Sequence, residues 1–451
     1  MRSHEWRIAV FPRLMRGVRA AWLAAAALSA AGMATTARAQ DTIPPGGVRV
    51  GITYTPGTRP GLVVVRPGVA ALDSLRAVLE RDLDFSDQFE LLTAPVGGAP
   101  DRGGPDYRAA RAVGADLVVV VAPVEGRSDA ADVQLHDARR GALVRRATVA
   151  LEAGAAGRWA IHRAADELVR WVTGRPGIAA TRLLFVRDGQ LWRVDADGAN
   201  LAPLRAAGRP SLSPAWAPDG RRIAYMAYVR SGQPLVVQDL ETGRRDVVPG
   251  TEYGLNITPE FSRDGSRLAY AHGNEAGTDL YVYDVARSCC ATRLTVGRFA
   301  DNLSPTWGPD GRRVAFISTR AGTPQLYWMD ADGSNPEVLG RFDFGATGPT
   351  NAPSWSPDGQ AIAFHRDVGG VPQVFVLDVG TRAVRQLTGT GRNEDPTWAP
   401  DGRHVSFVST RSGTRQLWVL DVETGRVRQL VVAGGARLPA WSPRLELPGG
   451  Y

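Results

Sequence analysis

Five histidines follow the N-terminal leader: His136, His162, His272, His365 and His404. Two imidazoles must share a helix face, as in His-Glu-x-x-His, before they can hold zinc, and no pair here has that or another metal-ligand spacing. No Gly-x-Ser-x-Gly elbow occurs, and no hydrolase-sized segment follows the last repeat, so a prolyl-peptidase type of triad has nowhere to sit. Asp195-Ala196-Asp197-Gly198 and Asp330-Ala331-Asp332-Gly333 begin like calcium loops. Both lack the spaced glutamate, and each follows a strand where a hairpin turn belongs, so turn chemistry is the plainer reading. The two cysteines, Cys289 and Cys290, are adjacent and cannot staple distant elements. A ring between them would be a redox site; an incidental loop pair, reduced or oxidised, is the simpler alternative. Catalysis, a cofactor and a bound metal therefore find no support in the residue pattern.

The elements that position these residues are written as a repeat. The fullest copy is Ser213-Pro214-Ala215-Trp216-Ala217-Pro218-Asp219-Gly220-Arg221-Arg222-Ile223-Ala224-Tyr225, and its aromatic returns as Phe261, Trp307, Trp355, Trp398 and Trp441, every 43 to 48 residues or so. Repetition at that period predicts stacked four-stranded blades. Pro before the aromatic suits a strand start, because it fixes φ and donates nothing. Pro-Asp-Gly is a turn: Pro presets φ, Asp binds its own backbone and Gly takes positive φ. A second hairpin follows in each copy, as in Leu417-Trp418-Val419-Leu420-Asp421 before Glu423-Thr424-Gly425.

The last copy stops at Trp441-Ser442-Pro443, without its Asp-Gly turn. The missing strands stand at the front of the array, as Arg182-Leu183-Leu184-Phe185-Val186 and Leu191-Trp192-Arg193-Val194-Asp195. Pairing the two ends within one blade would close the ring and hide open edges. The fold expected is therefore an N-terminal α/β domain followed by a six-bladed β-propeller closed by its own two ends.

Residues 1–39 read as an export signal. Arg2, Arg7, Arg13, Arg16 and Arg19 precede an apolar run from Ala20 to about Ala31, and Ala37-Arg38-Ala39 offers cleavage between Ala39 and Gln40. The run is too short to span a bilayer, and no later stretch resembles one. The chain carries 53 Lys+Arg against 46 Asp+Glu. Removing the signal takes six Arg and one Glu, leaving 47 against 45. Nucleic acid and anionic membranes lose their electrostatic footing, and a soluble monomer outside the cytoplasm is expected.

Residues 40–47 form a Pro/Gly-rich leader. From residue 48 to 175 the pattern is a small α/β domain. Gly61 to Arg66, Phe89 to Leu92 and Ala115 to Val121 read as extended, and two alternating strands follow near 132–136 and 143–150. Val69 to Leu83, Tyr107 to Val113 and Arg158 to Val172 read as helices. Gly174-Arg175-Pro176-Gly177 marks the boundary, with a propeller over residues 178–446 and a tail over 447–451.

Three stretches together resemble the TolB family, periplasmic components of the Tol–Pal envelope system. They are Val48-Arg49-Val50-Gly51-Ile52-Thr53 with Gly57-Thr58-Arg59-Pro60-Gly61; the junction from Trp159 through Thr173-Gly174-Arg175-Pro176-Gly177 to Phe185; and the closing Arg437-Leu438-Pro439-Ala440-Trp441-Ser442-Pro443. The resemblance covers nearly all of the chain after the signal. It implies a non-enzymatic adaptor that supports outer-membrane integrity and constriction during division. The peptidoglycan-associated lipoprotein Pal would bind at one propeller mouth, through loops before each repeat: Leu255, Asn256, Thr258, Glu260, Asp301, Asn302, Leu303, Ser304, Asn351, Asn393 and Glu394. TolA would bind the N-terminal segment Val48, Arg49, Val50, Gly51, Ile52 and Thr53. Loop capping is the structural alternative for the four asparagines. Two other functions stay open: an exported propeller scaffold outside the Tol system, and a channel-centred metal-dependent lyase.

Overall fold

Each repeat after residue 210 folds into a four-stranded antiparallel sheet whose first strand ends on the repeat's aromatic. A computed structural model describes residues 59–446, apart from 66–68, 70–71, 94–97, 100–103, 205–209, 231, 276, 298–299, 341–347 and 431–433. Blade I opens with Ser211–Trp216, blade II with Leu255–Phe261, blade III with Asn302–Trp307, blade IV with Thr350–Trp355 and blade V with Asn393–Trp398. Blade VI is composite. Its inner strand, Arg437–Trp441, pairs with Arg182–Arg187, and Gln190–Asp195 and Ala202–Pro203 complete the sheet. The ring thus closes between its two ends, as the truncated last repeat requires.

The turns work as their chemistry dictates. Asp219 Oδ1 accepts from the amides of Arg221 and Arg222 at 2.9 and 3.0 Å, and Gly220 sits at φ +68°. Each second strand contributes one buried ring to the core: Tyr225, Tyr270, Phe316, Phe364, Phe407 and, in blade VI, Phe185. Trp307 fills the seam between blades II and III, beside Ala269, Ala271 and Leu280. Neighbouring sheets bury one another's faces, which no single blade could do alone.

The residues before the ring form a second layer. Its elements are β1 (Gly61–Val65), α1 (Asp73–Phe85), β2 (Glu90–Leu91), β3 (Gly98–Ala99), β4 (Gly104–Pro105), α2 (Tyr107–Ala112), β5 (Leu117–Val124), β6 (Arg127–Asp137), β7 (Ala142–Ala150) and α3 (Ala155–Thr173). The sheet runs β2-β1-β5-β6-β7, parallel across its first three strands and antiparallel beyond. Apolar residues of α1 and α3, Leu75, Leu79, Leu83, Ala165 and Leu168, cover one face, and Ala110 of α2 packs on the other. The β3–β4 pair was not expected from sequence, since two residues per strand leave no periodicity to read. Gly174, at φ +77°, ends α3. The described residues of the α/β layer and the ring belong to one compact unit.

Strand direction sorts every connection onto one of two propeller faces. First-to-second and third-to-fourth strand turns lie on one face; second-to-third hairpins and the links between blades lie on the other. The α/β layer docks on the first of these, against blades V and VI. Trp159 Nε1 donates to the Leu445 carbonyl at 3.1 Å, and the Arg182 guanidinium lies 4.7 Å over the Trp159 ring. Asp166 of α3 accepts from the amides of Ala179 and Ala180 at 2.7 and 3.0 Å, fixing the segment that leads into the ring. Burial pushes that carboxyl up to about 6.

Candidate functional site

The face away from the α/β layer gathers most of the residues singled out from sequence, in a different setting from the one expected. Leu255, Asn256, Thr258, Glu260, Asn302, Leu303, Ser304, Asn351, Asn393 and Glu394 stand within the inner strands, which descend from this face into the channel; only Asp301 lies in a link. Each inner strand carries a bulge, and at each bulge a residue before proline takes a left-handed backbone: Ser213, Thr258, Ser304, Ala352, Asp395 and Leu438, at φ between 48° and 53°. Non-glycine residues adopt this conformation only when the surroundings enforce it. Bulges re-aim side chains, and the repeated kink turns these strands across the channel wall. Together they line a central cavity of about 290 Å³.

Bonds across the blade seams brace that wall. Ser304 N donates to Thr258 Oγ1 at 3.2 Å, Trp307 N to Glu260 Oε1 at 2.9 Å, Trp355 N to Thr306 Oγ1 at 3.1 Å and Trp398 N to Ser354 Oγ at 3.3 Å. Glu260 also accepts from Thr306 Oγ1 at 2.9 Å. Its carboxyl is pushed up by burial to about 7, these two bonds working the other way. Asp395 N donates to His365 Nδ1 at 3.1 Å, so that nitrogen is an acceptor; burial pushes His365 down and the Asp395 carboxyl up.

Three of the four asparagines are turned inward. Asn256, Asn302 and Asn393 are fully buried. The Asn256 amide donates to the carbonyls of Gln233, Thr251 and Tyr253, and its oxygen faces His272 Nδ1 at 2.7 Å. Asn302 accepts from Ser318 Oγ and Arg320, and Asn393 donates to Gln373 Oε1 at 2.8 Å and accepts from Arg411. They tie each link to the neighbouring hairpin, and the capping alternative holds for them. Asn351 is a different case. Register puts Thr350, not Asn351, level with Asn302, and Asn351 is half-buried at the position of Leu303 and Glu394. Glu394 is held by Arg392 at 3.1 Å and Arg415 at 3.2 Å. Leu255 and Asp301 are exposed.

This face also exposes apolar side chains. Among the described residues, six of the eleven exposed large hydrophobic side chains lie here: Tyr228, Tyr253, Leu255, Val296, Val368 and Val371. Tyr253 is 74% and Val296 79% exposed. Apart from Leu255, sequence reasoning missed them, because a lone apolar residue in a link carries no periodicity; only the ring assembles them beside one mouth.

The docked face is the reverse, crowded with charge that is already matched. His404 Nδ1 lies 2.6 Å from Asp401 Oδ2, and its Nε2 lies 3.2 Å from Asp87 Oδ2, across the domain junction. The two carboxylates outweigh the opposing effect of burial and raise His404 to about 9. Arg426 bonds Asp84 and Asp87, Arg403 bonds Asp421, and Asp197 takes both Arg158 and Arg81. His162, fully buried, meets Asp82 Oδ2 at 2.6 Å and serves packing. Asp82, His162 and Asp197 converge within 4.8 Å, as do Asp87, His404 and Asp421. Arginines already hold Asp197, Asp87 and Asp421, so a dication would sit beside like charge, while Asp82 pairs with His162; the clusters act as a clasp between domains.

The calcium-like loops are turns. Asp195 pairs with Arg182, and Asp332 accepts from the Ser334 amide and hydroxyl. Cys289 and Cys290 are disulfide-linked to each other in an outer strand of blade II. Ala39, Gln40 and the segment Val48, Arg49, Val50, Gly51, Ile52 and Thr53 lie outside the described residues, as do the leader and the tail. No described helix is long and apolar enough to cross a membrane.

Comparison with known proteins points one way. The family described as TolB beta propeller domain matches residues 169–344 and 344–447. Curated relatives include the Tol-Pal system protein TolB of Bordetella pertussis, 30% identical over 270 residues, or 58% of this chain, and that of Bordetella parapertussis at the same identity. The chain spans 60% of the length of those relatives. Among solved structures, TolB from Acinetobacter baumannii superposes with a TM-score of 0.74 at 26% identity, over 86% of this chain and 97% of that one.

Proposed function

We propose that this chain, which belongs to the TolB family, is a non-enzymatic periplasmic adaptor of the Tol–Pal system. The reading has it bind Pal at the open propeller face and TolA through residues 48–53. The observation that carries it is the division of labour between faces. One has its charges matched against the α/β layer, and the other shows apolar side chains around a braced mouth, the composition of a protein contact's core. Leu255, Thr258, Asp301, Leu303, Ser304, Asn351 and Glu394 remain candidate contacts within that mouth. Asn256, Asn302 and Asn393 support it from beneath.

Titration of the signal-free protein with Pal from the same organism tests the first half. Binding at micromolar affinity or better is expected, and no interaction sinks the assignment. Deleting residues 40–53 tests the second half: TolA contact should disappear while the melting temperature stays. TolA binding that survives the deletion would reject the N-terminal site.

A further inference from the structure

A longer unpaired edge than any other described strand presents lies on the α/β layer, away from the mouth. The propeller keeps its outer strands short: two residues in Ala202–Pro203 and Glu337–Val338, three in Arg245–Val247, Val384–Gln386 and Val427–Gln429, five in Cys289–Arg293. At the far side of the α/β sheet, β2 has two residues. By contrast β7 runs for nine, Ala-Leu-Val-Arg-Arg-Ala-Thr-Val-Ala, and among the described residues it pairs with β6 alone. Six of the nine are exposed, Leu143 among them, and no proline or glycine interrupts the strand. A bulge at Val144 interrupts the register near its start, and from Arg145 to Ala150 the edge offers a row of unused amides and carbonyls to any extended chain that fits.

We propose that β7 accepts an extended acidic segment of a partner protein as a sixth strand of the α/β sheet. Charge selects the occupant. Arg145 and Arg146 are consecutive on the edge, one on each face of the sheet, and Arg139 and Arg140 lie in the β6–β7 turn. Asp116, Asp137 and Asp132 engage Arg139, Arg140 and Arg146. Arg145 has no acidic partner among the described residues. A second copy of this chain is disfavoured. Antiparallel self-pairing about the strand centre sets Arg146 opposite Arg146, and a one-residue shift sets Arg145 opposite Arg146; like charges directly opposite are destabilising. A strand alternating Glu or Asp with β-branched residues presents its acids to one face of the sheet and sets one opposite Arg145; Arg146 points to the other face and is held by Asp132. This inference is independent of the Pal and TolA assignments.

The signal-free full-length protein would be titrated with a ten-residue peptide alternating Glu with Val and Thr, and with its Lys counterpart. The acidic peptide should bind at least about tenfold more tightly and weaken with added salt. It should also slow hydrogen exchange of amides within residues 142–150, which contact elsewhere would not do. Arg145→Glu/Arg146→Glu should lose about tenfold in affinity, with Arg145→Ser/Arg146→Ser intermediate; both positions are exposed, and an unchanged melting temperature checks the fold. Equal binding of the two peptides, or unaltered exchange across 142–150, overturns the proposal. So does a concentration-dependent dimer that protects the edge without any peptide.

Discussion

The two faces of the propeller are built from the same repeat and end up chemically opposite. Beneath the α/β layer, Asp87, Asp401, His404, Arg403, Asp421 and Arg426 spend their charges on one another. On the open face Glu394 is matched locally by Arg392 and Arg415, while Tyr253 and Val296 stand out in solvent. Buried charge networks hold two bodies in one geometry, because breaking any member strands the rest in a low dielectric. Exposed apolar groups contribute nothing until something covers them. The first face is therefore an internal joint, and the second is the one we propose meets a partner.

That contrast can be broken from either side, and from the ring between. Trp307→Ala empties the seam between blades II and III and should cost about 3–5 kcal/mol in a denaturant melt, degrading both faces together. Asp87→Ala leaves His404 and Arg426 without a shared partner. A loss of about 3 kcal/mol is expected, with the α/β layer becoming sensitive to protease while the ring stays intact. If the layer remains protected, the joint does not depend on charge.

Tyr253→Ser should leave stability within about 0.5 kcal/mol, as exposed substitutions do, yet weaken Pal binding about tenfold or more. Unchanged affinity would move the contact elsewhere on the ring. The remaining handle on the joint is pH. His404 is raised above its ordinary value in the folded state, so its contribution is complete below about 6.5 and fades as pH rises through about 9. Thermal stability should decline over that window, and His404→Gln should flatten the decline.

Much of the ring was legible because its rules are local. Pro218-Asp219-Gly220 is a turn wherever it occurs, and a repeat that stops at Pro443 implies strands waiting at Arg182. The helices Asp73–Phe85 and Ala155–Thr173 were similarly visible, since helical periodicity survives without context. The mouth was legible only in outline. Asn351 looked equivalent to Asn302 until register placed Thr350 at that station, and Asn256, Asn302 and Asn393 looked available until the links folded over them. His404 read as scattered because Asp87, its partner, lies 317 residues away.

The sequence by itself determined the repeat, the turns and the closure, because each is written within one blade, and the family, because three separate stretches carry it. Which face is sealed, which polar groups are consumed and which strand edge stays open were decided only when distant segments met. Burial and charge pairing belong to the assembled surface and leave no periodic trace along the chain.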